Sequence, residues 1–149
     1  MKKGILLTIT IFLISFSYSN LSAQTSQSVG KLFDKQFADY AYGKVYFSFP
    51  ISEDVIKKIM DDPTNYALFK VTKDGVKIFN ADRKAINPAD ATVSADEPCY
   101  VYSKDKIKEL LDTSKQAGSL TVEMRGSHTT LTSGEITLEM AWICPPVCP

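Results

Sequence analysis

One histidine, three cysteines and no excess of either charge remove most familiar chemistries from this chain before any element is placed. With His128 alone, no His-based metal spacing can be written, and neither H-E-x-x-H nor a paired C-x-x-C occurs. The seven glycines are scattered, so the Gly-rich cradle that wraps a phosphate is missing. Acidic side chains at Asp61, Asp62, Asp82, Asp90, Asp96 and Glu97 offer oxygen ligands, but none follows the D-x-D-x-D-G-x5-E order of a preformed calcium loop. No metal and no cofactor is expected. Seventeen basic residues against 17 acidic ones leave no surplus to neutralise phosphates, which argues against a nucleic-acid partner. No block of like charge suggests a membrane-surface tail either.

What is present begins with an export signal. Lys2 and Lys3 precede a twelve-residue apolar run from Ile5 to Phe16, and Ala23 offers a small residue for cleavage before Gln24. A spanning helix needs about 20 apolar residues, so the run reads as a cleaved signal rather than a retained anchor. Residues 1–23 are therefore expected to be a signal peptide and residues 24–149 a single exported domain, periplasmic or secreted. The signal holds two of the basic residues and none of the acidic ones, leaving 15 against 17, a net of −2. No Cys lies near the end of the apolar run, so a lipoprotein lacks its acceptor thiol, and no stable membrane anchor is expected after cleavage. At 44% hydrophobic, with seven Tyr and eight Phe, the rest is a folding composition.

Hydrophobic spacing predicts an N-terminal amphipathic helix carrying Val29, Leu32, Phe33, Phe37, Tyr40 and Ala41, its aromatic stripe in the core and Gly43 as its stop. Lys44–Phe49 alternates as a strand ended by Pro50. Ser52, Glu53 and Asp54 open a second helix with Val55, Ile56, Ile59 and Met60 inward. Tyr66–Thr72 and Val76–Asn80 form a hairpin through Asp74-Gly75, where both turn positions call for positive φ. Cys99–Tyr102 is a strand leading to a third helix with Ile107, Leu110 and Leu111 buried. Leu120–Arg125 and Glu135–Trp142 alternate cleanly. The expected fold is α+β, an antiparallel sheet with two main helices on one face plus the N-terminal helix. Ser52–Asp61 and Ser103–Asp112 share five residues in ten, and each follows a Tyr-containing strand and precedes two more. A duplicated β-α-β-β unit is one reading. Convergence of capped amphipathic helices on Ser, Asp, Lys and Ile is the other.

No constellation amounts to a catalytic signature. Ser127 and His128 are adjacent, but a nucleophile and base must converge across the fold with a third group to orient the imidazole. His128 reads as a solvent-exposed residue in a Ser/Thr-rich hairpin loop, and Glu135 and Glu139 as solvent-face charges. Tyr46, Tyr100 and Tyr102 offer a stacking surface on one sheet face, with packing beneath the helices as the plainer reading. The expected function is a non-catalytic exported binding domain of the bacterial envelope or exterior, with a protein or glycan partner. Contacts are expected from the long Ala81–Pro98 loop (Asp82, Arg83, Asp90), from His128, and from the tail at Pro145 and Pro146, since loops on a rigid scaffold carry binding. A small protease inhibitor using Cys-Pro-Pro-Val-Cys is the alternative, and thiol–disulfide chemistry a third. Cys144–Cys148 is the expected bridge with Cys99 a buried thiol. The chain-entropy expression favours a longer loop to Cys99, about 4 against about 2 kcal/mol, but two prolines turn the short loop back into bonding range.

Overall fold

The computed structural model describes residues 27–116 and 118–149, so the signal segment 1–23 and the expected new terminus at Gln24 lie outside the described residues. The order is β1 (Lys31–Asp34), α1 (Lys35–Tyr42), β2 (Val45–Ile51), α2 (Glu53–Asp61), β3 (Tyr66–Thr72), β4 (Gly75–Asn80), β5 (Ala85–Asn87), β6 (Cys99–Ser103), α3 (Lys104–Ser114), β7 (Leu120–Arg125), β8 (His128–Ser133), β9 (Ile136–Glu139) and β10 (Trp142–Cys144). The class is α+β and every strand pairing is antiparallel, as expected. The strands divide between two five-stranded sheets rather than forming one: β1-β9-β8-β7-β2 (sheet A) and β10-β6-β3-β4-β5 (sheet B).

That division exposes an exchange between the halves. The first half, β2-α2-β3-β4, sends β2 to pair with β7; the second, β6-α3-β7-β8, sends β6 to pair with β3. The registers agree as well. Leu68↔Phe79 in the first hairpin corresponds to Thr121↔Thr132 in the second, 53 residues later in both strands. Ala67↔Tyr102 likewise corresponds to Leu120↔Ile51. Convergent helix capping does not set strand register, so this agreement favours duplication over coincidence. Inward-facing residues match too. Ala67, Phe69, Ile78, Ile56 and Ile59 share one core with Leu120, Val122, Leu131, Ile107 and Leu110.

Several local expectations change. The N-terminal helix is shorter, because Lys31–Asp34 pairs with β9 and Asp34 then caps α1 by accepting from the Gln36 N–H at 2.8 Å. Its aromatic stripe is not core: Tyr40 is 89% exposed, Phe37 is also exposed, and within α1 only Ala38 is buried, whereas Val29 ahead of β1 is buried and Leu32 packs against the core. Pro50 lies within β2 opposite Thr121, tolerated because β2 is an edge strand where the missing N–H faces no partner. In the β3–β4 hairpin, Lys73 and Asp74 form the turn without positive φ, and Gly75 (φ +146°) opens β4. Ser52 and Ser103 occupy N-cap positions but make no side-chain cap bond. The Ser103 hydroxyl instead holds Val29, accepting from its N–H at 2.9 Å. Finally, the predicted Glu135–Trp142 strand breaks at Met140 (φ +65°), where the chain leaves sheet A and enters sheet B as β10.

Candidate ligand cavity at the sheet crossover

The outer faces of the two sheets have opposite chemistry. On sheet B, Leu68, Phe79, Cys99, Val101 and Cys144 form an apolar cluster covered by Ala91 and Val93 of the long loop and by Trp142. On sheet A the corresponding face carries Glu123, Arg125, Thr130, Thr132, Thr137 and Glu139, all buried. Helix α1 provides cover there, placing Ala38 in the interior and Asp39 against Arg125. Arg125 is fully buried and donates to Glu123 Oε2 at 2.6 Å, to Asp39, and to Thr130 Oγ1 at 3.4 Å. Thr132 donates a further bond to Glu123 at 2.7 Å. The alternating polar residues of β7 and β9 therefore face an ion network rather than water.

Glu139 closes β9 at the edge of this network. It is 2% exposed, in contrast with the solvent-face position expected for it, whereas Glu135 is exposed as expected. Its Oε2 accepts from the Met140 N–H at 3.0 Å and stands 3.6 Å from His128 Nδ1. Its Oε1 is buried with no hydrogen-bond partner. Burial pushes the Glu139 carboxyl above its ordinary range, against the pull of the Met140 amide, His128 and Arg125. Burial together with the Glu139 charge also raises the Tyr42 phenol.

Around this carboxyl the crossover opens a cavity of about 430 Å³. Glu139, Met140, Ala141 and Ile143 line it from the crossing chain, Ser127, His128 and Thr129 from the β7–β8 turn and β8, and Tyr42 and Tyr100 from α1 and β6. That volume falls within the range of small-molecule sites, and apolar walls with a few polar groups, here Glu139, His128, Ser127, Thr129 and the tyrosines, are their usual make-up. Ser127, His128 and Glu139 share the cavity, but among the described residues no hydrogen bond joins Ser127 to His128. The imidazole is 47% exposed and tilts against the Tyr42 ring at 4.9 Å. A relay from nucleophile to base is therefore not formed in this geometry.

Of the six residues expected in binding loops, only His128 lines the cavity. It opens β8 after the two-residue Gly126-Ser127 turn, and the Ser/Thr-rich stretch following it is a strand with buried threonines rather than a loop. Arg83 braces the long loop against the tail, donating to Ser94 O at 2.6 Å, Glu97 O at 3.2 Å and Cys144 O at 3.3 Å. Asp82 and Asp90 are exposed, Pro145 is half-buried and Pro146 exposed. Cys144 and Cys148 are bridged, with Cα atoms 4.7 Å apart. Cys99 is a free buried thiol directly opposite Cys144 across β6 and β10, so proximity alone did not select the longer bridge. The three tyrosines do not form one surface: Tyr102 is fully buried, Tyr46 is exposed near the edge of sheet A, and Tyr100 lines the cavity.

Sequence reasoning missed Glu139, Tyr42 and Tyr100 as neighbours. One signal was readable. The polar positions of residues 120–139 hold Thr, Ser, Glu, Arg and one His but no Lys, whereas a solvated strand face of this length usually carries lysine. Among the described residues no helix is long and apolar enough to cross a membrane. Compared with protein-family models, curated proteins and solved structures, the chain matches none.

Proposed function

We propose that this chain is a non-catalytic exported binding domain of the bacterial envelope or exterior, with its ligand held in the crossover cavity. One observation carries the reading: a buried carboxylate oxygen, Glu139 Oε1, without a partner beside a small-molecule-sized cavity walled by tyrosines. Buried polar atoms are almost always hydrogen-bonded, because an unpartnered one costs about 1–3 kcal/mol. Glu139 is among the residues lining that cavity, which places this cost at the wall where a ligand would sit. Export rests on the N-terminal residues, and the Cys144–Cys148 bridge suits an oxidising compartment. The test is a panel of small amines, sugars, carboxylates and short peptides titrated against the protein, with amide shifts read at His128, Met140 and Ala141. Saturable shifts at these residues are expected. Absence of any such shift across the panel overturns the reading, as does turnover of ester or peptide substrates that Ser127→Ala abolishes.

A second reading rests on the tail. The bridge closes a loop over Pro145, Pro146 and the 48%-exposed Val147, the pre-organised form a small protease inhibitor would present. Inhibition of a protease panel, lost on reduction, would favour it.

A further inference from the structure

We infer that the tail disulfide is a thiol-exchange site of fixed polarity: an incoming thiolate attacks Cys148 Sγ and forms a mixed disulfide there, while Cys144 departs as a thiolate beside Arg83. The exchange does not depend on a ligand in the crossover cavity. Its polarity begins with exposure. Cys144 is 1% exposed and belongs to the apolar cluster of sheet B, whereas its bridge partner Cys148 is exposed. A disulfide opens by attack on one sulfur with departure of the other, so access selects Cys148 as the attacked atom. A cation stands on the departing side. Arg83 Nη2 donates to Cys144 Sγ at 3.3 Å and to Cys144 O at 3.3 Å, while Nη1 donates to Ser94 O at 2.6 Å and Glu97 O at 3.2 Å. Three backbone carbonyls thus fix the guanidinium against one sulfur of the bridge. Among the described residues no hydrogen bond reaches Cys148 Sγ. A thiolate leaves faster when its pKa is lower, and a guanidinium at the sulfur lowers it. Burial works against ionisation at Cys144, and the direct donation from Arg83 opposes that cost.

The attacking thiol comes from outside the chain. Cys99 lies directly opposite Cys144 in the β6–β10 register, but burial raises its thiol against the pull of Arg83 and Lys70, and no hydrogen bond holds its sulfur among the described residues. Cys99 therefore stays protonated. The exchange balances without an oxidant: a bond forms between the incoming sulfur and Cys148, the Cys144–Cys148 bond breaks, and its electron pair stays on Cys144. Return attack by Cys144 on Cys148 expels the thiol and restores the bridge. A second thiol on the same partner would instead expel Cys148, leaving the tail reduced and the partner oxidised. The substrate class is a thiol, carried by a small molecule or by a polypeptide.

Glutathione and an unstructured single-cysteine peptide probe the two sources, each reacted anaerobically with the protein near neutral pH, acid-quenched, alkylated and mapped by mass. The adduct is expected on Cys148 and the alkyl group on Cys144, in about tenfold excess over the reverse arrangement, since one pK unit between the two thiols is a tenfold population difference. In urea that preference should vanish. Arg83→Gln should slow the reaction about threefold or more and erase the preference, and Arg83→Lys should restore it, the rate varying by about threefold per pK unit. Because Arg83 also braces the long loop, a titration of the unaltered reduced protein by cysteine carbon NMR supplies a readout without substitution: the Cys144 thiol should ionise at lower pH than Cys148. Reaction with glutathione alone assigns a small-thiol site, and reaction with the peptide assigns one open to polypeptides. Failure of both probes, adducts shared equally or favouring Cys144, a preference that survives Arg83→Gln, or Cys144 ionising above Cys148 overturns the inference.

Discussion

Replacing Arg125 with methionine should cost about 3–5 kcal/mol of folding stability, the range for breaking a buried ion pair from one side. The structure says where that loss falls. Methionine fills the apolar part of the arginine volume, so little of the cost is cavity. Asp39 is 44% exposed on its side chain, so water replaces the guanidinium there, and losing that pair contributes about 0–1 kcal/mol. Glu123 has no such recourse: it is buried, and without Arg125 its side chain keeps only the Thr132 hydroxyl. Most of the loss is therefore the cost of an uncompensated Glu123 charge. Neutralising Glu123 in the same molecule, as Arg125→Met with Glu123→Gln, should recover at least half of it. Urea unfolding followed by fluorescence of Trp142, the single tryptophan, measures both variants against the parent. A single variant that loses less than about 1 kcal/mol, or a double variant no better than the single, would refute a dry ion network beneath α1.

Three further outcomes are expected. Glu139 has a folded pKa above its unfolded one, so its contribution to stability is full below the ordinary value of 4.5 and is lost as pH rises through the folded pKa; Glu139→Gln should therefore raise the melting temperature near neutral pH and give no gain below pH 4.5, and a gain that persists in acid would count against the assignment. Cys99 is buried and its thiol is raised by burial, so alkylation of the native protein should be slow and become stoichiometric in denaturant, while a non-reducing peptide map joins Cys144 to Cys148; a fragment linking Cys99 to the tail would contradict the structure. Gly30 sits at φ +116°, where an added Cβ would lie 2.8 Å from Leu138 Cδ1, so Gly30→Ala should cost about 1–3 kcal/mol by urea unfolding, and a neutral result would place the β1 entry elsewhere.

Which parts of this fold were legible follows from which forces act locally. The helices α2 and α3 announce themselves through apolar spacing, and the strands β3, β4 and β7 through alternation and turn residues, all properties of a few neighbouring residues, whereas the Ser/Thr run of β8 read as a loop. The N-terminal stretch was misread because Leu32 and Phe33 fit helical spacing and strand alternation equally well over so short a run. Pairing with β9, far away in sequence, decided for strand. The break at Met140 left no local mark, since Met is neither a turn former nor a residue that favours positive φ. Burial of the polar face was illegible for a related reason. Alternation states that two faces differ, and it leaves open whether the polar one meets water or a helix from the other end of the chain.

The cavity follows from that same departure from symmetry. In the paired halves, β2-β7-β8-β9 of sheet A corresponds to β6-β3-β4-β5 of sheet B, strand for strand. The additions are unequal: β1 extends sheet A beyond β9, while β10 extends sheet B beyond β6. To supply β10, the chain must leave β9 and cross between sheets, and the positive φ of Met140 makes that turn. The crossing holds the end of β9, and Glu139 with it, beneath α1 beside Tyr100 of the other sheet, a placement with no counterpart in the first half. Outer-face residues at matched positions have diverged accordingly, Leu68 and Phe79 on sheet B against Thr121 and Thr132 on sheet A. The inner faces have stayed apolar because both halves must fill one core. Divergence of the covered outer face, with an unpartnered acceptor among the described residues at the crossing, is what the proposed binding role on two repeated halves would leave behind.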